Sequence, residues 1–424
     1  MVSDVSLKQW KNRVQSSHIS RQSSLYYATC LYVAALAQNR RRMFSQVIDL
    51  LHQVAESLFM LKTPYYLIDK QKLLRNMRIM DQVRQRSGAK TLLALKCFAT
   101  WCVFDVMCDH MDGTTSSSLN EVRLGREKFG GETHAYSVAW AKHEIDEAVS
   151  YADKIIFNSI QQLERFDQAA SGIKRGLRLN PGISSSSFDL ADPARPFSRL
   201  GESQPQQVLE VIDRISGVMI HNNCENADFA LFNDMLDTIE TRFGAILERL
   251  EWVSLGGGIH FTGEDYPLEA FCTRLKTFSE RFGVQVYLEP GEAAITDTAT
   301  LEVSVLDTLH NGKSLAVVDS SIEAHMLDLL IYREDASIKP NQGEHEVMVC
   351  GKSCLAGDIF GTFRFPQPLR VGDTLSIANA AGYTMVKKNW FNGVAMPAIA
   401  VRELDGSITE IRRFGYEDYA SSLS

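Results

Sequence analysis

With 424 residues, 45% of them hydrophobic and 23% charged, the chain is long enough for a large domain and a smaller one. Its formal net charge of −8, with no basic stripe, argues against a nucleic-acid partner and is compatible with a cationic small-molecule substrate. The eight cysteines (Cys30, Cys97, Cys102, Cys108, Cys224, Cys272, Cys350, Cys354) form no CxxC pair and no zinc-ligand pattern, so they read as reduced thiols of a cytoplasmic protein without a metal.

In chain order, residues 1–60 differ in texture from the rest. The apolar patch Leu25–Ala37 is too short to span a bilayer and lacks the flanks of a signal peptide, so no membrane partner is expected. Val47, Leu50, Leu51, Val54 and Leu58 recur at helical spacing. The stretch reads as a helical extension of unassigned role, or as an upstream extension of a chain whose natural start is Met60.

From Thr63 the pattern becomes regular. Residues 65–68 make a short strand, and 70–88 a helix with Leu73, Met77, Met80 and Val83 on one face. Strands are predicted at 91–96, 112–116, 133–137, 154–158, 176–180, 217–221, 252–256 and 285–289. Amphipathic helices separate them, among them 120–129, 160–170, 204–215, 226–250 and 268–282. Eight strands alternating with helices predict an α/β fold, a (β/α)8 TIM-type barrel over residues 61–297. Beyond it, short alternating or β-branched runs at 301–305, 315–319, 345–349, 374–378 and 398–402 are divided by turn signals such as Asn311-Gly312 and Asp405-Gly406. They predict a C-terminal all-β domain over 298–424. The strand at 65–68 is assignable to either domain.

Chemistry on such a barrel collects at the C-terminal ends of its strands. Those ends carry Lys96, Ser116-Ser117, Asn158, Arg178 with Asn180, His221, Gly256-Gly257-Gly258 and Glu289. The apolar run Leu92–Leu95 leads straight into Lys96. A desolvated lysine there is a candidate Schiff-base nucleophile; the plainer reading is a lysine snorkelling to water from the strand rim. Three consecutive glycines let the backbone point N–H groups at a phosphate, or make a tight turn, and the G-x-G-x-x-G spacing of dinucleotide sites is absent. Glu289 either holds a proton on a ring nitrogen or pairs with a neighbouring base. His221 either packs on a planar cofactor or is a hydrogen-bonded core histidine. In the second domain, Cys354 and Asp358 share a glycine-bounded loop that also reads as a plain turn, and Tyr383 after Gly382 offers a hydroxyl to a phosphate or is a buried tyrosine.

These motifs run in the order Ala94-Leu-Lys96, Gly256-Gly-Gly258, Glu289-Pro-Gly291, Cys354 with Asp358, and Gly382-Tyr383. In that order the chain resembles the fold-type III, alanine-racemase-like, pyridoxal-phosphate-dependent decarboxylases that act on ornithine, arginine or diaminopimelate. Three stretches are similar to the branch that decarboxylates carboxynorspermidine or carboxyspermidine in polyamine biosynthesis. They are His221-Asn-Asn-Cys-Glu-Asn226, Glu289-Pro-Gly-Glu292-Ala293, and Ala381–Lys387 followed by Asn389–Gly393. The resemblance covers Thr63 to the C-terminus. It implies pyridoxal 5'-phosphate carried by Lys96, with His221 stacked on its ring and Glu289 on its pyridine nitrogen. Gly257, Gly258 and Tyr383 would hold the phosphate. It further implies a homodimer with shared active sites, in which Cys354 returns a proton to the substrate carbon and Asp358 binds a substrate amine across the interface.

One position departs from the family pattern. An arginine on the phosphate follows Glu-Pro-Gly in the wider family; here that residue is Glu292. Glu292, Glu323 and Asp358 are therefore candidates to pair with the ammonium groups of a polyamine. The rival readings are the same chemistry on ornithine, arginine or diaminopimelate, a cofactor-free Schiff-base lyase on a barrel, and a homologue that carries the cofactor without turnover.

Overall fold

The computed structural model describes residues 61–424; the expectations for residues 1–60 lie outside them. Eight parallel strands close into a barrel: β2 (Lys90–Ala94), β3 (Gly113–Ser116), β4 (Glu132–Tyr136), β5 (Lys154–Phe157), β6 (Lys174–Arg178), β7 (Gly217–Met219), β8 (Trp252–Ser254) and β9 (Gln285–Leu288). Each falls on a predicted strand. Their residues are mostly buried on both faces, as in parallel strands covered by helices. The helix Lys70–Ser87 shows how the outer ring is set. Asp69 caps it by accepting N–H bonds from Gln71 and Lys72. Leu73, Met77, Met80 and Val83 then face the barrel, and Gly88 ends it at φ +73°.

Inside the barrel, Leu92, Tyr136, Ile156, Met219, Trp252 and Tyr287 form a separate apolar layer. Trp252 fits because Gly176 and Gly217 face it: a Cβ at Gly217 would lie 2.0 Å from the indole. At the N-terminal end a buried polar group closes the floor. Glu132 accepts from Lys90, from Lys154 at 2.6 Å and from the Tyr287 hydroxyl at 2.9 Å. Burial alone would raise its pKa, but the hydrogen bonds from His134, Lys154 and Lys90 hold it well below the carboxylate range.

The remaining strands build one mixed sheet. They are β1 (Tyr65–Asp69), β10 (Ala299–His310), β11 (Ser314–Val318), β12 (His345–Cys350), β13 (Ile359–Phe365), β14 (Thr374–Ala378), β15 (Ala398–Arg402) and β16 (Ile408–Arg412). The order is β13-β12-β11-β10-β1-β15-β16, with β14 also on β10. Thus β1, which precedes the barrel in sequence, is a central strand of the sheet, antiparallel to β10 and parallel to β15.

Several elements differ from expectation. Two strands, β13 and β16, were not predicted. The helix expected at 120–129 is α-helical over Leu119–Leu124 and continues as a π-turn to Phe129. That expected at 204–215 divides into Pro205–Glu210 and a 3-10 turn, Ile212–Arg214. Short helices, Ile322–His325 and Leu327–Tyr332, interrupt the β domain.

Candidate active site

The C-terminal mouth of the barrel gathers residues from the ends of several strands. β2 stops at Ala94, whose N–H donates to Pro290 O at 3.1 Å, and a turn over Leu95–Cys97 lifts Lys96 above the strand. Its Nζ lies 3.3 Å from His221 Nε2. His221 Nδ1 accepts the Gly257 N–H at 3.2 Å, so in the neutral ring the proton sits on Nε2 and points at the Lys96 amine. Burial, then the charges of Lys96 and Arg178, hold His221 well below its ordinary pKa, which keeps the ring neutral. Lys96 is itself exposed, with its amine beside His221. Surrounding protein displaces bulk water from the amine, and this desolvation, aided by Arg178, lowers its pKa. A lysine held toward its neutral form is a nucleophile, which the snorkelling reading does not provide.

Glu289 is buried beside this pair. The Ser254 hydroxyl donates to its Oε1 at 2.5 Å, and Thr115 supplies a further hydroxyl contact. Burial raises its pKa, opposed by these hydroxyls and by the charges of Lys96 and Arg178. Among the described residues no ion pair reaches this carboxylate. Arg178 spans the mouth instead, donating to the Tyr136 hydroxyl at 2.8 Å and to His221 O at 3.3 Å. The Tyr136 hydroxyl donates on to Asn158 at 2.9 Å.

Glycine is required at the triplet for steric reasons. A Cβ on Gly257 would lie 2.2 Å from Glu289 O, and one on Gly258 2.2 Å from Asn223 O. Gly256 and Gly258 also have φ of +69° and +81°. The Gly258 and Gly382 N–H groups donate to no protein acceptor among the described residues. Tyr383, at φ +48°, is fastened to the barrel by its N–H bond to Cys97 O at 3.0 Å. The position that departs from the family pattern is packed into this junction. A Cβ on Gly382 would sit 2.0 Å from Glu292 Oε1, and the Cys97 thiol donates to the same oxygen at 3.6 Å. Burial, then the charges of Glu225 and Asp328, push Glu292 up to about 7, against the Cys97 bond and Lys387.

These groups fit a flat, phosphorylated aldehyde cofactor: an amine for covalent attachment, a glycine cradle with free N–H groups at one end, and a buried carboxylate lacking a cation at the other.

Three of the predicted residues belong to the sheet domain and make their contacts there. Asp358 is buried in the loop it shares with Cys354, accepting the Ile322 N–H at 2.8 Å and the Ser353 N–H at 2.9 Å. Cys354 is exposed, its N–H bonded to Asn392 Oδ1 at 2.6 Å. Glu323 is near them, and its Oε2 is buried without a hydrogen-bond partner. Among the described residues, no hydrogen bond or ion pair joins these three to Lys96, His221, Glu289 or Tyr383. Sequence reading missed Ser254, Thr115 and Tyr136, and also Glu121, whose charge acts on Lys96. Ser254 was findable, because it follows the inward-facing Trp252 by two residues on one strand.

A closed barrel bearing a desolvated lysine, joined to a mixed sheet domain, defines a class of lysine-based barrel enzymes. The family model described as "Pyridoxal-dependent decarboxylase, C-terminal sheet domain" matches residues 31–381, and the chain belongs to that family. A carboxynorspermidine/carboxyspermidine decarboxylase of Herminiimonas arsenicoxydans is 67% identical over 365 residues, 86% of this chain and 100% of that protein. One from Campylobacter jejuni is 34% identical over 375 residues, 85% of this chain and 98% of the relative. The crystal structure of Campylobacter jejuni carboxynorspermidine decarboxylase complexed with norspermidine has 33% identity and a TM-score of 0.79, covering 85% of this chain and 100% of that one. Among the described residues, no helix is long and apolar enough to cross a membrane.

Proposed function

We propose that the chain removes the carboxylate of carboxynorspermidine or carboxyspermidine as carbon dioxide, giving norspermidine or spermidine, with pyridoxal 5'-phosphate on Lys96. The observation that carries the chemistry is the Lys96 amine facing His221 Nε2 inside a desolvated mouth; the substrate rests on the 67% identity over 86% of this chain. When bound, the cofactor supplies a sink for the electron pair left by departing carbon dioxide. Lys96 would hold it covalently through its amine. The Gly257, Gly258 and Tyr383 groups would hold the phosphate, and His221 would lie beside the ring. Glu289 keeps a proton on the pyridine nitrogen and there gains the cation its burial calls for. Glu292, with Glu323 and Asp358, pairs with substrate ammonium groups. The exposure of Cys354, on a loop bonded to Asn392 and not to this chain's own mouth, supports a homodimer. Cys354 of the partner subunit then returns the proton to the substrate carbon, and Asp358 of the partner subunit, after shaping that loop, offers its remaining lone pairs to an amine.

The test is carbon dioxide release by the purified, cofactor-loaded protein from carboxynorspermidine, carboxyspermidine, ornithine, arginine and diaminopimelate. Turnover of the two carboxylated polyamines well above the others is expected; preference for another substrate overturns the reading. Mixing inactive Lys96→Ala and Cys354→Ala proteins restores part of the activity if sites are shared, and restores none if each chain works alone.

A further inference from the structure

The loop 351–358 carries Cys354 between β12 and β13 and is closed at its base, where the Gly351 N–H donates to Asp358 O at 2.8 Å. Inside it, the Ser353 N–H donates to Asp358 Oδ2 at 2.9 Å and the Leu355 N–H to Ser353 Oγ at 3.3 Å. The residues on both sides of the cysteine are thus tied within the loop. Among the described residues, the Cys354 N–H is the one backbone N–H of 353–357 bonded to a segment distant in sequence, donating to Asn392 Oδ1 at 2.6 Å. Asn392 lies in the 3-10 turn Phe391–Gly393 at φ +54°, the left-handed region that asparagine tolerates. That turn is itself anchored. The Asn389 N–H donates to Ala324 O at 2.9 Å, Asn389 Nδ2 to Glu323 O at 3.1 Å, and the Phe391 N–H to Asn389 Oδ1 at 2.8 Å. The Trp390 ring packs on Phe414 and Tyr419, with centroids 6.4 and 5.6 Å away. The acceptor for the Cys354 N–H is therefore held from two sides, by the helix Ile322–His325 and by the C-terminal segment.

We propose that Asn392 is the positioning residue for Cys354, its side-chain carbonyl fixing the backbone from which the thiol delivers a proton to the substrate carbon. The inference rests on the reading of Cys354 as proton donor. An exposed cysteine has three staggered positions for its sulfur, and only a fixed Cα–Cβ bond makes one of them point reproducibly at a reacting atom. With the thiol in place, its proton goes to the substrate carbon that keeps the electron pair left by carbon dioxide, and water reprotonates the thiolate. With the thiol misplaced, a proton from solvent adds instead at the former aldehyde carbon of the cofactor. Water then releases the substrate carbon as an aldehyde, and the amino nitrogen stays on the cofactor. Both residues belong to one chain, so the pair is carried together whichever mouth it serves.

The experiment compares wild type, Asn392→Gly, Asn392→Asp and Cys354→Ala as holoenzymes. Asn392→Gly suits the left-handed turn and removes only the acceptor. It is expected to speed hydrogen exchange of the Cys354 amide roughly ten-fold, and to raise the share of aldehyde among the products of carboxynorspermidine about ten-fold. Asn392→Asp keeps an acceptor oxygen and tolerates the same backbone, so both readouts return toward wild type. Either an unchanged aldehyde share or unchanged amide exchange in Asn392→Gly overturns the proposal, the first marking a purely structural contact. A defect in Asn392→Asp equal to that in Asn392→Gly overturns it as well. Cys354→Ala separates the reading beneath. A raised aldehyde share there with none in Asn392→Gly removes Asn392 alone, whereas a wild-type share in Cys354→Ala removes the proton-donor role and this inference with it.

Discussion

Gly257→Ala isolates the steric demand at the cradle, because Gly257, unlike its two neighbours, is not among the positive-φ glycines. The new Cβ would stand 2.2 Å from Glu289 O and 3.2 Å from its carbonyl carbon, both backbone atoms unable to swing aside. Restoring van der Waals contact needs a shift of about 1 Å in one strand end or the other. Overpacking of this kind costs about 1–3 kcal/mol of stability. The larger effect falls on chemistry. The displaced backbone carries the Glu289 carboxylate, and the Gly257 N–H leaves His221 Nδ1. A misplacement of about 1 Å in a reacting constellation lowers turnover by roughly 10²-fold. Gly172→Ala is the control, since nothing lies within 4 Å of its Cβ. Thermal unfolding, cofactor absorbance and kcat are measured on both. A Gly257→Ala protein indistinguishable from the Gly172→Ala control in all three would refute the close-approach argument.

Lys96→Ala is expected to abolish carbon dioxide release and the imine absorbance near about 420 nm, checked by borohydride trapping; surviving covalent cofactor would place the attachment elsewhere. Burial pushes Glu292 up to about 7, above an ordinary glutamate, so its stability contribution is complete at acid pH and is lost as pH rises through 7. Glu292→Gln should therefore gain in melting temperature over wild type between pH 5 and 8, and a constant difference would contradict the assignment. Glu132→Gln leaves Lys154 buried against a weaker acceptor, and chemical denaturation should read a loss of about 3 kcal/mol with cofactor absorbance retained at low temperature.

What was legible in the sequence was what burial and backbone geometry impose locally. Barrel strands such as Lys90–Ala94 and Lys154–Phe157 carry apolar runs, because a strand covered on both faces has little polar side to show. Lys96 and the glycine triplet stood out by contrast with their settings. β16 did not, since all five of its residues are exposed and no buried face imposes an alternation. β13 was hidden by Gly361, at φ +137°, and by a register shift opposite Val349 and Cys350. The Arg178–Tyr136–Asn158 chain joins three different strands, and pairing across a barrel leaves no trace in spacing. Nor does residue order carry contact: Cys354 and Asp358 read as one set with Lys96, while their hydrogen bonds run to Asn392, Ile322 and Ser353.

The central place of β1 carries a consequence for how the molecule is made. Its partners, β10 and β15, emerge after the whole barrel, with Tyr66 opposite both Leu301 and Ile399. During synthesis β1 leaves the ribosome with neither neighbour available, so the sheet cannot close until nearly the entire chain has appeared. Contacts of such long sequence separation are slow to form and leave strand edges open while they wait. The barrel strands, by contrast, pair with successive neighbours and are completed in order. Assembly is thus expected to run barrel first and sheet last, with β1 the strand whose early exposure most invites association between nascent chains.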